Sequence, residues 1–286
     1  MKAVPNPTQG KLIVLAPPQS SIPEWLENVI FDPDRHEQLL ASMQRLRGAL
    51  YLEEGAIQRS QLSFDGRHRQ PVDERAWQLL AINNEGEVYG CARYMQHPNT
   101  ATFSQLDVSR SALASSDQWG TKLRAAVESE IELARSRGVA YVEVGGWALA
   151  PELRCTMEAL RIALASYSLA RALGGSVGIG MVTRRHRSSS ILRRIGGRPL
   201  ISDGVELPSY FDPQFQCQME MLRFDSTDPN PRFEIWIHTL ANELATTPVI
   251  RPDHSLLRLH SAITDQNSEV AEPSSPLQTP EYIIQP

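Results

Sequence analysis

Residues 141–200 read YVEVGGWALAPELRCTMEALRIALASYSLARALGGSVGIGMVTRRHRSSSILRRIGGRPL, and the order of patterns along this stretch decides the fold. Val139–Val144 is β-branched and apolar, the composition of a buried strand. From Pro151 to Leu173, Leu153, Met157, Leu160, Leu164 and Tyr167 recur at three- and four-residue steps, which predicts the longest helix of the chain. Gly174-Gly175 closes it. Ser176–Thr183 reads as another buried strand and Ser188–Ile195 as a short helix stopped by Gly196-Gly197.

Outward from this centre the pattern stays mixed. Pro33 to Glu54 is helical, with Leu39, Leu40, Met43, Leu46 and Leu50 on one side. Trp77–Asn83 and Glu87–Met95 are strands joined by Asn84-Glu85-Gly86, a hairpin signal. A helix is expected from about Asp117 to Arg137, stopped by Gly138, and a last strand over Cys217–Phe224. The expected organisation is a flexible segment over 1–22, one α/β domain over 23–225, a C-terminal helix packed on it within 226–250, and a mostly disordered tail over 251–286. The tail is rich in Ser, Pro and Gln and has no Lys or Arg after Arg258.

Several functions are excluded or disfavoured. The formal charge of −5 speaks against non-specific nucleic-acid binding. No apolar run approaches the roughly 20 residues of a membrane span, so a soluble, cytoplasmic protein is expected. Cys91, Cys155 and Cys217 lie far apart, without CxxC or Cys/His spacing, so neither a disulfide framework nor a metal site is expected. There is no GxGxxG after a strand, no Walker A motif and no GxSxG elbow. Dehydrogenases, nucleotide hydrolases and serine hydrolases therefore lack support.

The stretch from Tyr141 to Leu200 resembles the core of GNAT-superfamily acyltransferases. There a strand exits through a proline turn into a long helix, followed by a splayed strand and a short helix ending in glycine. The resemblance implies a GNAT fold, a mixed central sheet whose two parallel strands splay apart between flanking helices. It also implies that Trp147, Ala148 and Leu149 line a pantetheine arm, and that Arg154, Cys155, Thr156 and Met157 form the phosphate loop at the helix start. The physics is general: unpaired N–H groups and the positive end of the helix dipole make such a terminus an anion site. Met157 stands where that loop usually has Gly, a departure shared with the branch that uses acyl carrier proteins. Leu192 or Arg193 stands where many acetyltransferases have the Tyr that protonates the leaving thiolate.

Over residues 35 to 224 the chain is similar to N-acyl-homoserine-lactone synthases and N-acyl amino acid synthases. Arg47-Gly-Ala-Leu-Tyr51 matches an Arg-x-x-x-Phe helix, Asp73 an acid before the first strand, and Gly90-Cys91-Ala92-Arg93 a G-x-x-R strand. Glu143 to Leu149 lines up with E-L-S-R-F-A-V, with Gly145-Gly146 replacing Ser-Arg. The resemblance implies acyl transfer from acyl-ACP or acyl-CoA to the amine of a small molecule, with no bound cofactor. A conventional acetyl-CoA enzyme and a non-catalytic GNAT-like binding module are the alternatives.

Individual residues carry two readings each. Glu143 is a carboxylate in an apolar run; burial would raise its pKa and suit it as the base for an incoming ammonium, or it is a buried ion-pair partner of Arg93. Arg93 and Arg47 either grip an acceptor carboxylate or pair with Asp73 or Glu143. Gly145-Gly146 gives a bulge, a close ligand approach or a plain turn. Arg184, Arg185, Arg187, Arg193, Arg194 and Arg198 crowd one segment with no acid among them. Arg184, Arg185, Arg187 and Arg194 are the candidates for docking an acidic acyl carrier protein, against a merely solvated face.

Overall fold

The computed structural model describes residues 10–154 and 156–253. The strands are β1 (Lys11–Leu15), β2 (Val29–Phe31), β3 (Trp77–Ile82), β4 (Val88–His97), β5 (Ala140–Leu149) and β6 (Ser176–Thr183). They continue with β7 (Arg198–Pro199), β8 (Ile201–Ser202), β9 (Val205–Glu206), β10 (Tyr210–Asp212), β11 (Cys217–Asp225) and β12 (Val249–Arg251). The helices are α1 (Pro33–Glu53), α2 (Gly120–Ser136), α3 (Met157–Ala172), α4 (Ser188–Ile195) and α5 (Glu234–Thr246). The main sheet runs β10-β11-β6-β5-β4-β3-β1-β12-β2, with β7 added on β11.

Most neighbours are antiparallel, but β5 and β6 are parallel, as are β1 with β12 and β12 with β2. α1 and α2 cover one face, α3 and α5 the other. This is the mixed α/β architecture expected from residues 141–200. α1 starts on Asp32, whose side chain accepts from the Arg35 N–H at 2.9 Å, with Pro33 in the first turn. It is longer than α3, so the expectation of a longest helix at Pro151–Leu173 is corrected. There a single 3-10 turn, Pro151–Leu153, precedes Thr156, whose hydroxyl caps α3 by accepting from Glu158 N.

The expected flexible segment over 1–22 is corrected from residue 10 onward. β1 lies inside the sheet between β3 and β12, with Leu12 and Val14 packed toward α3 and Ile13 and Leu15 toward α1. An apolar strand of this kind has no stable place except between two partners. α5 packs on α3 through Ile237, Leu240 and Leu244, and β12 follows it into the sheet. Of the expected tail over 251–286, all but its first three residues lies outside the described residues. Among the described residues no helix is long and apolar enough to cross a membrane.

Candidate active site

β5 and β6 pair from Ala140↔Ser176 to Glu143↔Ile179 and no further. At the base they run close: a Cβ on Gly178 would lie 2.4 Å from the Val142 carbonyl oxygen, so only glycine fits there. Beyond Glu143, β5 follows β4 as far as Leu149↔Gly90, and β6 follows β11 as far as Thr183↔Met219. The two inner edges part, and a cleft of about 1070 Å³ opens through the sheet. Backbone groups on the parted edge of β5 have no strand beside them, which makes that edge a template for an extended, amide-bearing ligand.

The β4 side of β5 carries a bulge. Cys91 pairs with Ala148 and Arg93 with Gly145, so Gly146 and Trp147 together face Ala92. Gly146 sits at φ +60°, and a Cβ there would meet the Arg93 Cβ at 3.1 Å. Of the readings open for Gly145-Gly146, the bulge is the one seen. The extra residue changes the side-chain alternation, so Val144 and Trp147 both pack toward α3 while Glu143 remains on the face of α1 and α2.

On that second face the cleft is lined by Arg93, Asp107, Arg110, Glu143 and Asp212. Glu143 is not paired with Arg93. Its carboxylate accepts from the backbone N–H groups of Asp107 and Val108, both at 2.9 Å, and lies 3.0 Å from His97 Nε2. Burial alone would push its pKa up, but His97 and the two N–H donors outweigh burial and hold it below the ordinary carboxylate value. The expected upward shift is thereby corrected: the environment is buried yet full of donors.

Arg47 is fully buried and does not line the cleft. Its guanidinium makes two bonds to Asp73, at 2.8 and 2.5 Å, and one to the His68 carbonyl at 2.6 Å. Of the two readings open for Arg47, the pairing with Asp73 is the one seen, and the grip on an acceptor is corrected because the guanidinium is buried away from the cleft. Asp73 accepts also from Gln44 and from Gln70 N–H; burial opposes its ionisation, but the Arg47 guanidinium and these donors lower its pKa. Arg93 reaches the same network, with Nη1 2.6 Å from Gln70 and 3.4 Å from Asp73. Its Nη2 lies over Gly145 and 3.9 Å from Asp107, on the wall of the cleft.

Trp147, Ala148, Leu149, Arg154, Thr156 and Met157 all line the cleft, the last three at the start of α3; Cys155 lies outside the described residues. Arg154 is bonded to Glu54 at 2.9 Å, so a phosphate there would share it with that carboxylate. Of the arginine cluster, Arg185 is tied to the Glu54 and Gln216 carbonyls, Arg193 to Glu220 and Arg198 to Asp228. Arg184, Arg187 and Arg194 are exposed and have no ion pair among the described residues; Arg187 and Arg194 border the cleft.

Sequence reasoning missed three parts of this site. His97 shares the strand face of Arg93 by two-residue alternation, which was a usable signal. The Asp107–Val108 backbone clamp gave none, because N–H groups leave no mark in a sequence. The third is a row of small residues on α3, Ala159, Ala163, Ser166 and Ala170, spaced along one helix face and lining the cleft on the α3 side of the sheet. Among the described residues no cluster of His, Cys, Asp and Glu is arranged to hold a metal ion.

No known protein family and no curated protein is matched by the sequence. Solved structures similar to the chain include a CoA-dependent acyl-homoserine lactone synthase, BjaI, with SAM and isopentyl-CoA. It is 15% identical, covering 82% of this chain and 97% of that one, with a TM-score of 0.48. FeeM, an N-acyl amino acid synthase from uncultured soil microbes, is 13% identical over 76% of this chain and 92% of that one, with a TM-score of 0.45. TofI, in a ternary complex with an inhibitor and MTA, is 16% identical over 76% and 91%, with a TM-score of 0.44.

Proposed function

We propose that the protein is an N-acyltransferase, moving an acyl group from a pantetheine thioester, on an acyl carrier protein or coenzyme A, to the amine of a small molecule. The observation that carries this reading is the cleft through the sheet, open to both faces where β5 and β6 part. A pantetheine arm has two amides and needs an extended edge; the free side of β5 offers one. Its phosphate belongs at the start of α3, where Arg154 and the first-turn N–H groups lie. The acyl chain belongs along the small-residue row of α3. From Ala159 to Ala170 that row runs about 16 Å, which favours a medium or long acyl chain over acetyl.

The acceptor enters from the face of α1 and α2. Its nitrogen attacks the thioester carbonyl, the C–N bond forms, the C–S bond breaks, and the thiol leaves with the proton the amine gives up. A backbone N–H on the parted edge of β5, close to the Gly146 bulge, stabilises the oxyanion. Glu143, held as a carboxylate, grips the acceptor ammonium by charge, takes one proton to free the nitrogen lone pair before attack and passes it to solvent; the second proton is the one that leaves with the thiol. Arg93 orients an acceptor carboxylate or carbonyl, and Arg47 holds Arg93 in place through Asp73.

The test is direct. The purified full chain is incubated with acyl-CoA or acyl-carrier donors and a mixture of amino acids and amines, with thiol release followed optically and products by mass spectrometry. An N-acylated product formed at the rate of thiol release is expected. Absence of both product and donor binding would sink the reading and leave a non-catalytic module that binds something else.

A further inference from the structure

The α3 end of the cleft is less apolar than an alkyl pocket should be. Tyr94 on β4 and Tyr167 on α3 line it, and both side chains are more than nine-tenths buried. Among the described residues the Tyr167 hydroxyl has no hydrogen-bond partner, and the Tyr94 hydroxyl has none but the neighbouring Ser176 side chain. Ser176 and Ser226 line the same region and are buried too. Ser226 Oγ accepts from Ser176 N–H at 2.8 Å, which ties the two together at the start of β6. Buried hydroxyls left without partners are unfavourable and uncommon in a well-packed core. One phenol without a partner and a second held only by a serine, in one cavity, point to something that fills it. Burial holds both phenols well above their ordinary pKa, so each stays a neutral O–H able to donate and accept.

We infer that Tyr94 and Tyr167 select an acyl group carrying a neutral oxygen, a hydroxyl, phenol or carbonyl, at its far end. The inference rests on the acyltransferase reading and names the donor class of that same site. A carboxylate tail is the wrong match: no cation lies among these four residues, and an unpaired buried anion is far more costly than an unpaired hydroxyl. A plain alkyl tail would bury both phenols against methylene, leaving Tyr167 unpaired and Tyr94 with Ser176 alone. A site built to hydrogen-bond an oxygen discriminates strongly against the analogue that lacks it.

The experiment compares dodecanoyl-CoA with 12-hydroxydodecanoyl-CoA, a length suited to the row from Ala159 to Ala170, for binding to the full chain by calorimetry. The wild type is expected to bind the hydroxylated chain at least about tenfold more tightly. In Tyr94→Phe/Tyr167→Phe the preference should vanish or reverse, with dodecanoyl-CoA gaining affinity. The double variant is expected to melt close to the wild type, because it keeps both rings and gives up only the Tyr94–Ser176 contact. Equal binding of the two donors by the wild type overturns the inference while leaving the acyl pocket intact; it would mean that water satisfies the phenols. A preference that survives in the double Phe variant overturns it as well. If neither acyl-CoA binds the wild type, the acyltransferase reading itself fails, and the inference with it.

Discussion

A buried carboxylate takes the charge state its donors dictate, and two such groups define this site at the level of single residues. Glu143 keeps its charge because His97 and two backbone N–H groups face it. Glu143→Gln keeps the shape and loses the charge, so turnover should fall by roughly 10²-fold; its NH2 must face one of the two backbone N–H donors, so the melting temperature should fall too, with the chain still folded. Unchanged turnover in a folded Gln variant would remove Glu143 from the reaction. Asp73 serves the scaffold. Its folded pKa lies below the ordinary 3.8, so its contribution to stability is complete above that pH and is lost as pH falls through the folded value. Asp73→Asn should cost about 3–5 kcal/mol near neutrality, because Arg47 is left buried without its counter-charge. Urea melts should show that gap narrowing below pH 3.8; a constant gap would show that the charge is not the source. The acid before the first strand and the arginine of α1 were both legible in the sequence. Their pairing was one of the readings open there, and only the choice of Asp73 over Glu143 was not legible, since spacing reveals which residues are polar but not which of two partners each one chooses.

Among the elements, those built from local pattern were readable: α1, the β3–β4 hairpin and β6 lie within a residue or two of their expected bounds. β5 extends past Val144 to Leu149 because the bulge at Gly146 lets the strand continue where two glycines suggested a break. β1 and β12 escaped the reading for a different cause. Each is short, and each is held by partners distant in the chain, β1 by β3 and β12, β12 by β1 and β2, pairings no local window contains. β12 also supplies the partner of β2, and Val249 and Ile250 are fully buried. A chain ending at Thr247 should therefore lose at least about 3 kcal/mol, two buried aliphatic side chains at about 1.5–3 kcal/mol each. A chain ending at Asp253 retains β12. Equal melting temperatures for these two truncations would show that β12 contributes nothing.

For the whole molecule, the charge is uneven in a way the fold makes useful. The chain is acidic overall, at −5, yet Arg184, Arg187 and Arg194 stand exposed beside α4, and two of them border the cleft. The six-arginine cluster was visible in the sequence, but its division was not. Arg185, Arg193 and Arg198 are bound to groups brought in by the α1 end, β11 and the turn before α5, so they belong to the fold. The three that remain suit the encounter with an acidic carrier protein, which a positive surface next to the cleft would steer and hold. Free acyl-CoA needs only the phosphate site at the start of α3. Changing Arg184, Arg187 and Arg194 together to Glu should therefore raise KM for a carrier-bound donor much more than for the same acyl-CoA, with kcat nearly unchanged. The effect should shrink as salt rises, because exposed charges are screened beyond about 8–10 Å at physiological ionic strength. Arg154→Ala should instead weaken both donors, as both present a phosphate to that helix start. If the triple Glu variant uses the carrier-bound donor as well as the wild type does, the arginines are a solvated face. Coenzyme A then becomes the donor that the site serves.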